Sequence, residues 1–178
     1  FNSNEFSCGH PSISSNGKKL FFASNMPGGY GGSDIWVSYL TDAGEWSIPS
    51  NAGPLVNTAG NEMFPFVHEN GMLFFASNGH LGLGGLDIFM SKLSKSGEAT
   101  SIKNMGSPVN SNMDDFAMIL NSEQSNGYFT SNRDGGKGDD DIYSFRLLEP
   151  FDAEPMIVGV ARDKDGIILS GTEVKLFD

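Results

Sequence analysis

A thirteen-residue cassette is written three times in this chain, as SNMPGGYGGSDIW from Ser24 to Trp36, SNGHLGLGGLDIF from Ser77 to Phe89, and SNRDGGKGDDDIY from Ser131 to Tyr143. Asp34, Asp87 and Asp141 follow one another at intervals of 53 and 54 residues. So regular a period requires stacked units of one kind, because a unit of that size cannot bury an apolar face alone and must lean on its neighbour.

Each unit divides into short strands by alternation and turn residues. In the first, His10 to Ser14 reads as a strand, Ser15 to Lys18 as a turn with Gly17 where φ must be positive, and LFFAS as an apolar second strand. The cassette is a long loop, a third strand starts at Asp34, and the turn TDAGEW leads to a fourth strand around Trp46 and Ile48. The second unit repeats this order with FPFVHENGMLFFASN, DIFMSKL and SKSGEA, and the third with FAMILNSEQSNGYFTSN and DIYSFRL. Connectors beginning at Asn2, Asn57 and Asn110 precede the first strands. Four strands in about 50 residues make one propeller blade, so the expected class is all-β, a partial β-propeller of about three four-stranded blades in residues 1–148.

The third unit has no fourth-strand tryptophan and no further connector. A blade short of its last strand is expected where a ring is closed by a strand donated from elsewhere. Propellers usually have four to eight blades, so the chain reads as the C-terminal part of a larger one. Residues 149–155 read as a linker rich in proline and acid, and residues 156–178 as the first hairpin of a β-sandwich turning at Asp165-Gly166.

Twenty-two acidic against eleven basic side chains give a net charge of -11, which argues against nucleic acid as a partner. Cys8 is the single cysteine, so neither an intrachain disulfide nor a cysteine metal cluster can form. No apolar run approaches the roughly 20 residues of a membrane helix. The opening FNSNEFSCGHP carries no export signal and resembles the tail of a preceding unit.

Asp34, Asp87 and Asp141, with Asn25, Asn78 and Asn132, recur in register and are expected to be structural anchors. In the bland reading each aspartate accepts backbone N–H bonds from its glycine-rich loop. The sharper reading is calcium, confined to the third cassette, where Asp134, Asp139, Asp140 and Asp141 offer enough carboxylates. The glycine runs precede strands rather than helices, which argues against a phosphate cradle and leaves them to supply positive φ and to let the loop fold flat at the blade edge. His10, His68 and His80 hold different repeat positions, and no serine stands in a nucleophile elbow. Asp114 and Asp115 read as solvated or capping groups. Phe21, Phe22, Phe74, Phe75, Tyr128 and Phe129, with Trp36, Phe89 and Tyr143, are expected to fill the seams between blades. Tyr30 is a loop aromatic without a counterpart.

The stretches HPSISSNGKKLFFASN, GNEMFPFVHENGMLFFASNGHLGLGGLDIF and DDFAMILNSEQSNGYFTSNRDGGKGDDDIY resemble the repeats of TolB-like propellers in OmpA-family envelope proteins of Bacteroidetes. The opening IVGVARDKDGIILSGTEVKLFD is similar to the carboxypeptidase-regulatory-like sandwich that follows the propeller in that family. Asn16 and Asn70 stand where such repeats often carry aspartate. The resemblance implies a periplasmic protein held at the outer membrane, a lipoprotein in some members, with envelope proteins as partners and a link to type IX secretion. Peptidoglycan would be bound only through a domain absent from this sequence.

Two functions are open at this stage. Repetition without a unique polar constellation favours a noncatalytic interaction scaffold with no cofactor, since catalysis needs a few groups converging at one place. The alternative is an enzyme-associated propeller, acting on glycans or gating a peptidase.

Overall fold

The computed structural model describes residues 2–148 together with Phe151. The hairpin expected at 156–178 and, Phe151 apart, the linker at 149–155 lie outside the described residues. The chain is all-β and folds as part of a propeller. Strands β1 (Cys8–Ile13), β2 (Lys19–Ser24), β3 (Asp34–Tyr39) and β4 (Ser50–Asn51) form the first blade. The second holds β5 (Glu62–Val67), β6 (Met72–Ser77), β7 (Asp87–Lys92) and β8 (Lys103–Asn104), and the third β9 (Asp115–Leu120), β10 (Asn126–Ser131) and β11 (Asp141–Arg146). Neighbouring strands pair antiparallel in sequence order. The third sheet has three strands among the described residues.

The fourth strands differ from expectation. Trp46 makes only an isolated bridge to Leu40, and Ile48 is 91% exposed. Thr41 and Glu45 close a tight turn, and Pro49 then interrupts the edge because it has no N–H to give a ladder. Pairing resumes for two residues, Val37 with Ser50 and Trp36 with Asn51.

The first strands are innermost. β1 packs on β5 and β5 on β9, whereas β4 and β8 touch only their own blades. Each first strand carries a bulge, at which His10, Phe64 and Ala117 take φ of 51°, 54° and 55°. Three non-glycine residues in the left-handed region at one repeat position mark a built-in bend, since a bulge re-aims the strand.

Strand alternation builds the seams. Phe21, Ala23, Ile35 and Val37 of the first blade meet Val67, Leu73, Phe75 and Phe89 of the second, with Val56 of the connector between them. Phe74, Ile88 and Met118 are likewise buried. The expectation fails for Tyr128, 53% exposed where Phe21 and Phe74 are buried. Ile142 is 78% exposed where Ile35 and Ile88 are buried. No further blade covers this side of the third sheet among the described residues.

Candidate interaction surface

All three cassettes, and the connectors from β4 to β5 and β8 to β9, lie at one end of the antiparallel sheets. The tight turns joining first to second and third to fourth strands lie at the other. The candidate surface is the cassette end.

Each cassette curls onto its aspartate. Asp34 accepts the N–H groups of Tyr30 and Gly31 at 2.5 and 3.2 Å and the Asn51 amide at 2.8 Å. Asp87 Oδ2 accepts from Leu83 and Gly84 at 2.9 and 3.0 Å, and Asp141 Oδ2 from Lys137 and Gly138 at 2.6 and 3.1 Å. The asparagines at the cassette starts act across the blade. Asn25, Asn78 and Asn132 each accept, at 2.8 Å, the N–H of the residue just before the first strand: Ser7, Asn61 and Asp114.

The glycines serve a purpose that sequence reasoning assigned differently. Gly31, Gly32, Gly84 and Gly85 do not have positive φ; within the cassettes that conformation belongs to Gly28 and Gly135. A Cβ on Gly31 would overlap the carbonyls of Thr58 and Gly60, and one on Gly84 would overlap that of Met113. These glycines therefore let a cassette lie directly on the next connector. Gly32 donates to Gly60 O at 2.8 Å and Gly85 to Met113 O at 3.2 Å, while Glu62 and Asp115 donate to Ser33 and Leu86 at 2.6 Å.

Two further repeated groups, which the sequence marks only as recurring connector residues, bond the connectors to the blades. Asn57, 2% exposed, accepts from Ile35 N–H at 2.7 Å and donates to Ile35 O at 2.9 Å and Asn51 Oδ1 at 2.8 Å. Asn110 repeats this with Ile88 and Asn104 at 2.8, 2.9 and 2.8 Å. Their recurrence 53 residues apart was the available signal. The second group is the carboxylate opening β5 and β9. Glu62 accepts from Thr58 and Ser77, and Asp115 from Ser111 and Arg133. Of the two readings, solvated or capping, the structure supports the second: Asp115 is fully buried and accepts Ser111 N–H at 2.6 Å, and Asp114 accepts Leu86 N–H at 2.7 Å.

Among the described residues no three histidine, cysteine or acidic side chains gather as a metal would need, the four aspartates of the third cassette included. Asp141 turns an oxygen towards backbone donors rather than towards a shared centre. The histidines are apart: His10 stacks on Phe64 at 3.9 Å, His68 meets Asn121 O at 3.0 Å, and His80 meets Val56 O at 2.9 Å. Partial desolvation lowers the His10 pKa from its ordinary value. The cassette end instead presents apolar side chains to solvent, with Leu81 at 96%, Leu83 at 55%, Tyr30 at 52% and Leu55 at 45% exposure. Tyr30 therefore has a counterpart: it and Leu83 each stand four residues before the cassette aspartate.

Among the described residues no helix is long and apolar enough to cross a membrane. No protein-family model and no curated protein matches the chain. Among solved structures, TolB from Acinetobacter baumannii is similar, with a TM-score of 0.54 and 14% identity over 78% of this chain. The likeness spans 29% of the TolB chain and establishes the fold.

Proposed function

We propose that the chain is a noncatalytic protein-interaction module of a bacterial cell envelope. One observation carries this reading: the recurrent polar groups are occupied in holding loops and blades together, while the first two cassettes and the connector after β4 leave the large apolar side chains of Tyr30, Leu55, Leu81 and Leu83 pointing outward. Asp34, Asp87, Glu62, Asp115, Asn57 and Asn110 all bond within the fold. Such a surface suits recognition of another protein, whose contact residues bury apolar area over many loops. The TolB-like fold and the sequence resemblance support an envelope setting. The finer reading is a periplasmic scaffold of an OmpA-family, peptidoglycan-associated protein linked to type IX secretion at the outer membrane.

The test is capture from a Bacteroidetes envelope extract on the immobilised chain, alongside assays with glycosidase and peptidase substrates. A saturable envelope protein retained by the chain, and lost when Tyr30, Leu81 and Leu83 are changed to serine, is expected. Turnover of a glycan or peptide that disappears on mutation of an inner-strand or cassette acid would favour the enzymatic alternative.

A further inference from the structure

Charge is distributed unevenly between the two ends of the sheets. At the turn end, Asp42, Glu45, Glu69, Glu98 and Glu123 are matched one for one by Lys18, Lys19, Lys92, Lys95 and Arg146. At the cassette end, Asp34, Glu62, Asp87, Asp114, Asp115 and Asp141 lie within the loop and connector framework. Glu5, Asp134, Asp139 and Asp140 are exposed beside them. The basic groups there are Arg133 and Lys137, with Lys103 of β8 between the two ends, and Arg133 is engaged by Asp115. Thus the excess negative charge of the described blades resides at one end, where it sets up a directional field.

A second observation falls in the same place. Asp87 is 1% exposed, and its Oδ1 has no hydrogen-bond partner, although Oδ2 holds Leu83 and Gly84. A buried carboxylate oxygen with no donor lies in the loop that presents Leu81 and Leu83. The backbones of Tyr30 and Leu83 are pinned by their aspartates, so these side chains are displayed without the full ordering cost of a mobile loop.

We infer that the cassette end docks a basic amphipathic segment of a partner protein, whose apolar side chains cover Tyr30, Leu55, Leu81 and Leu83 while its lysines or arginines meet Asp134, Asp139 and Asp140. The inference rests on the interaction-module reading and adds the chemistry of the partner. Apolar contact supplies the area, and charge selects against acidic or neutral segments. The turn end also exposes Ile48, but its charges balance, so it lacks this selectivity.

The experiment uses the full chain and two labelled fourteen-residue peptides, one with leucines at helical spacing among lysines and the other with glutamates replacing the lysines. Anisotropy titrations at low and high salt are run on the natural chain and on three variants. These are Asp134→Asn/Asp139→Asn/Asp140→Asn, Leu81→Ser/Leu83→Ser, and the turn-end control Glu45→Gln/Glu98→Gln. The lysine peptide is expected to bind, to weaken with salt, and to lose about tenfold in affinity in each of the first two variants, with the control unchanged. The inference is overturned if the lysine peptide does not bind, if the glutamate peptide binds as well, or if the control variant weakens equally. Envelope capture is then repeated with the triple asparagine variant. Undiminished capture overturns the basic-partner inference and leaves the module reading standing. Failure of the natural chain to capture any protein, with peptide discrimination intact, overturns the module reading instead.

Discussion

Arg133 and Asp115 form an ion pair, Nη2 to Oδ1 at 2.5 Å, that ties the third cassette to the strand beside it. The same guanidinium donates to Pro108 O and Val109 O at 2.9 and 2.6 Å, and it lies over the rings of Phe129 and Tyr143. Its counterpart in the second blade is built from different parts: His80 reaches Val56 O and packs near Phe75 and Phe89, while Glu62 bonds Ser77. Arg133→Met keeps an apolar stem over the rings but leaves a buried carboxylate without its cation. A loss of about 2–4 kcal/mol is expected. The double variant Arg133→Met/Asp115→Leu should lose less than the sum of the singles. Urea midpoints measure both, and simple additivity would show that the two groups are not coupled.

Asn57 and Asn110 stitch the connectors to the third strands, each satisfying both the N–H and the carbonyl of one isoleucine. Alanine at either position strands those backbone groups away from water, at a cost of about 2–3 kcal/mol. Hydrogen exchange gives the local check. The Ile88 amide in Asn110→Ala, or the Ile35 amide in Asn57→Ala, should lose protection before distant strands do.

Sequence and structure diverge along a consistent line. The second and third strands were legible because LFFAS, MLFFAS, DIWVSY and DIFMSK are largely apolar runs bounded by turn residues, and both faces of these strands are buried. The fourth strands were not, because two-residue pairings at Ser50–Asn51 and Lys103–Asn104 leave no periodicity to read. At the candidate surface, recurrence marked Asp34, Asp87 and Asp141, but not what lies opposite Gly31 or Gly84. A close approach between consecutive units depends on residues nearly thirty positions away. Arg133 and Asp115 are 18 residues apart and occur as a pair in one unit alone, so repetition offers no clue to their contact.

His10 links proton binding to stability. Partial desolvation of its largely exposed ring holds its pKa below the ordinary 6.5, so the unfolded chain takes up a proton at a higher pH than the folded one. The contribution to stability is therefore complete above the unfolded pKa and is lost as pH falls through about 6.5 towards the folded value. The imidazole resonances should titrate below the value in an unfolded peptide. His10→Gln should flatten the decline in stability on this acidic limb. A slope of the same size in the variant would place the titrating group elsewhere.

Glycine substitutions separate backbone conformation from contact between blades. Gly9, in β1, has no positive φ and nothing within 4 Å of an added Cβ. Gly9→Ala should thus be neutral or stabilise by about 0.4–1 kcal/mol through the unfolded chain. Gly31 and Gly84 also lack positive φ, yet an added methyl would strike the carbonyls of the following connector. Those carbonyls cannot retreat freely, because Gly60 O accepts from Gly32 and Met113 O from Gly85. Overpacking against fixed backbone costs about 1–3 kcal/mol, so Gly31→Ala and Gly84→Ala should each lower the urea midpoint. Exchange at the Gly32 and Gly85 amides should accelerate, since the cassette must lift from its neighbour to make room. If both variants were as stable as Gly9→Ala, the cassettes would have to be yielding loops rather than the joints between consecutive blades.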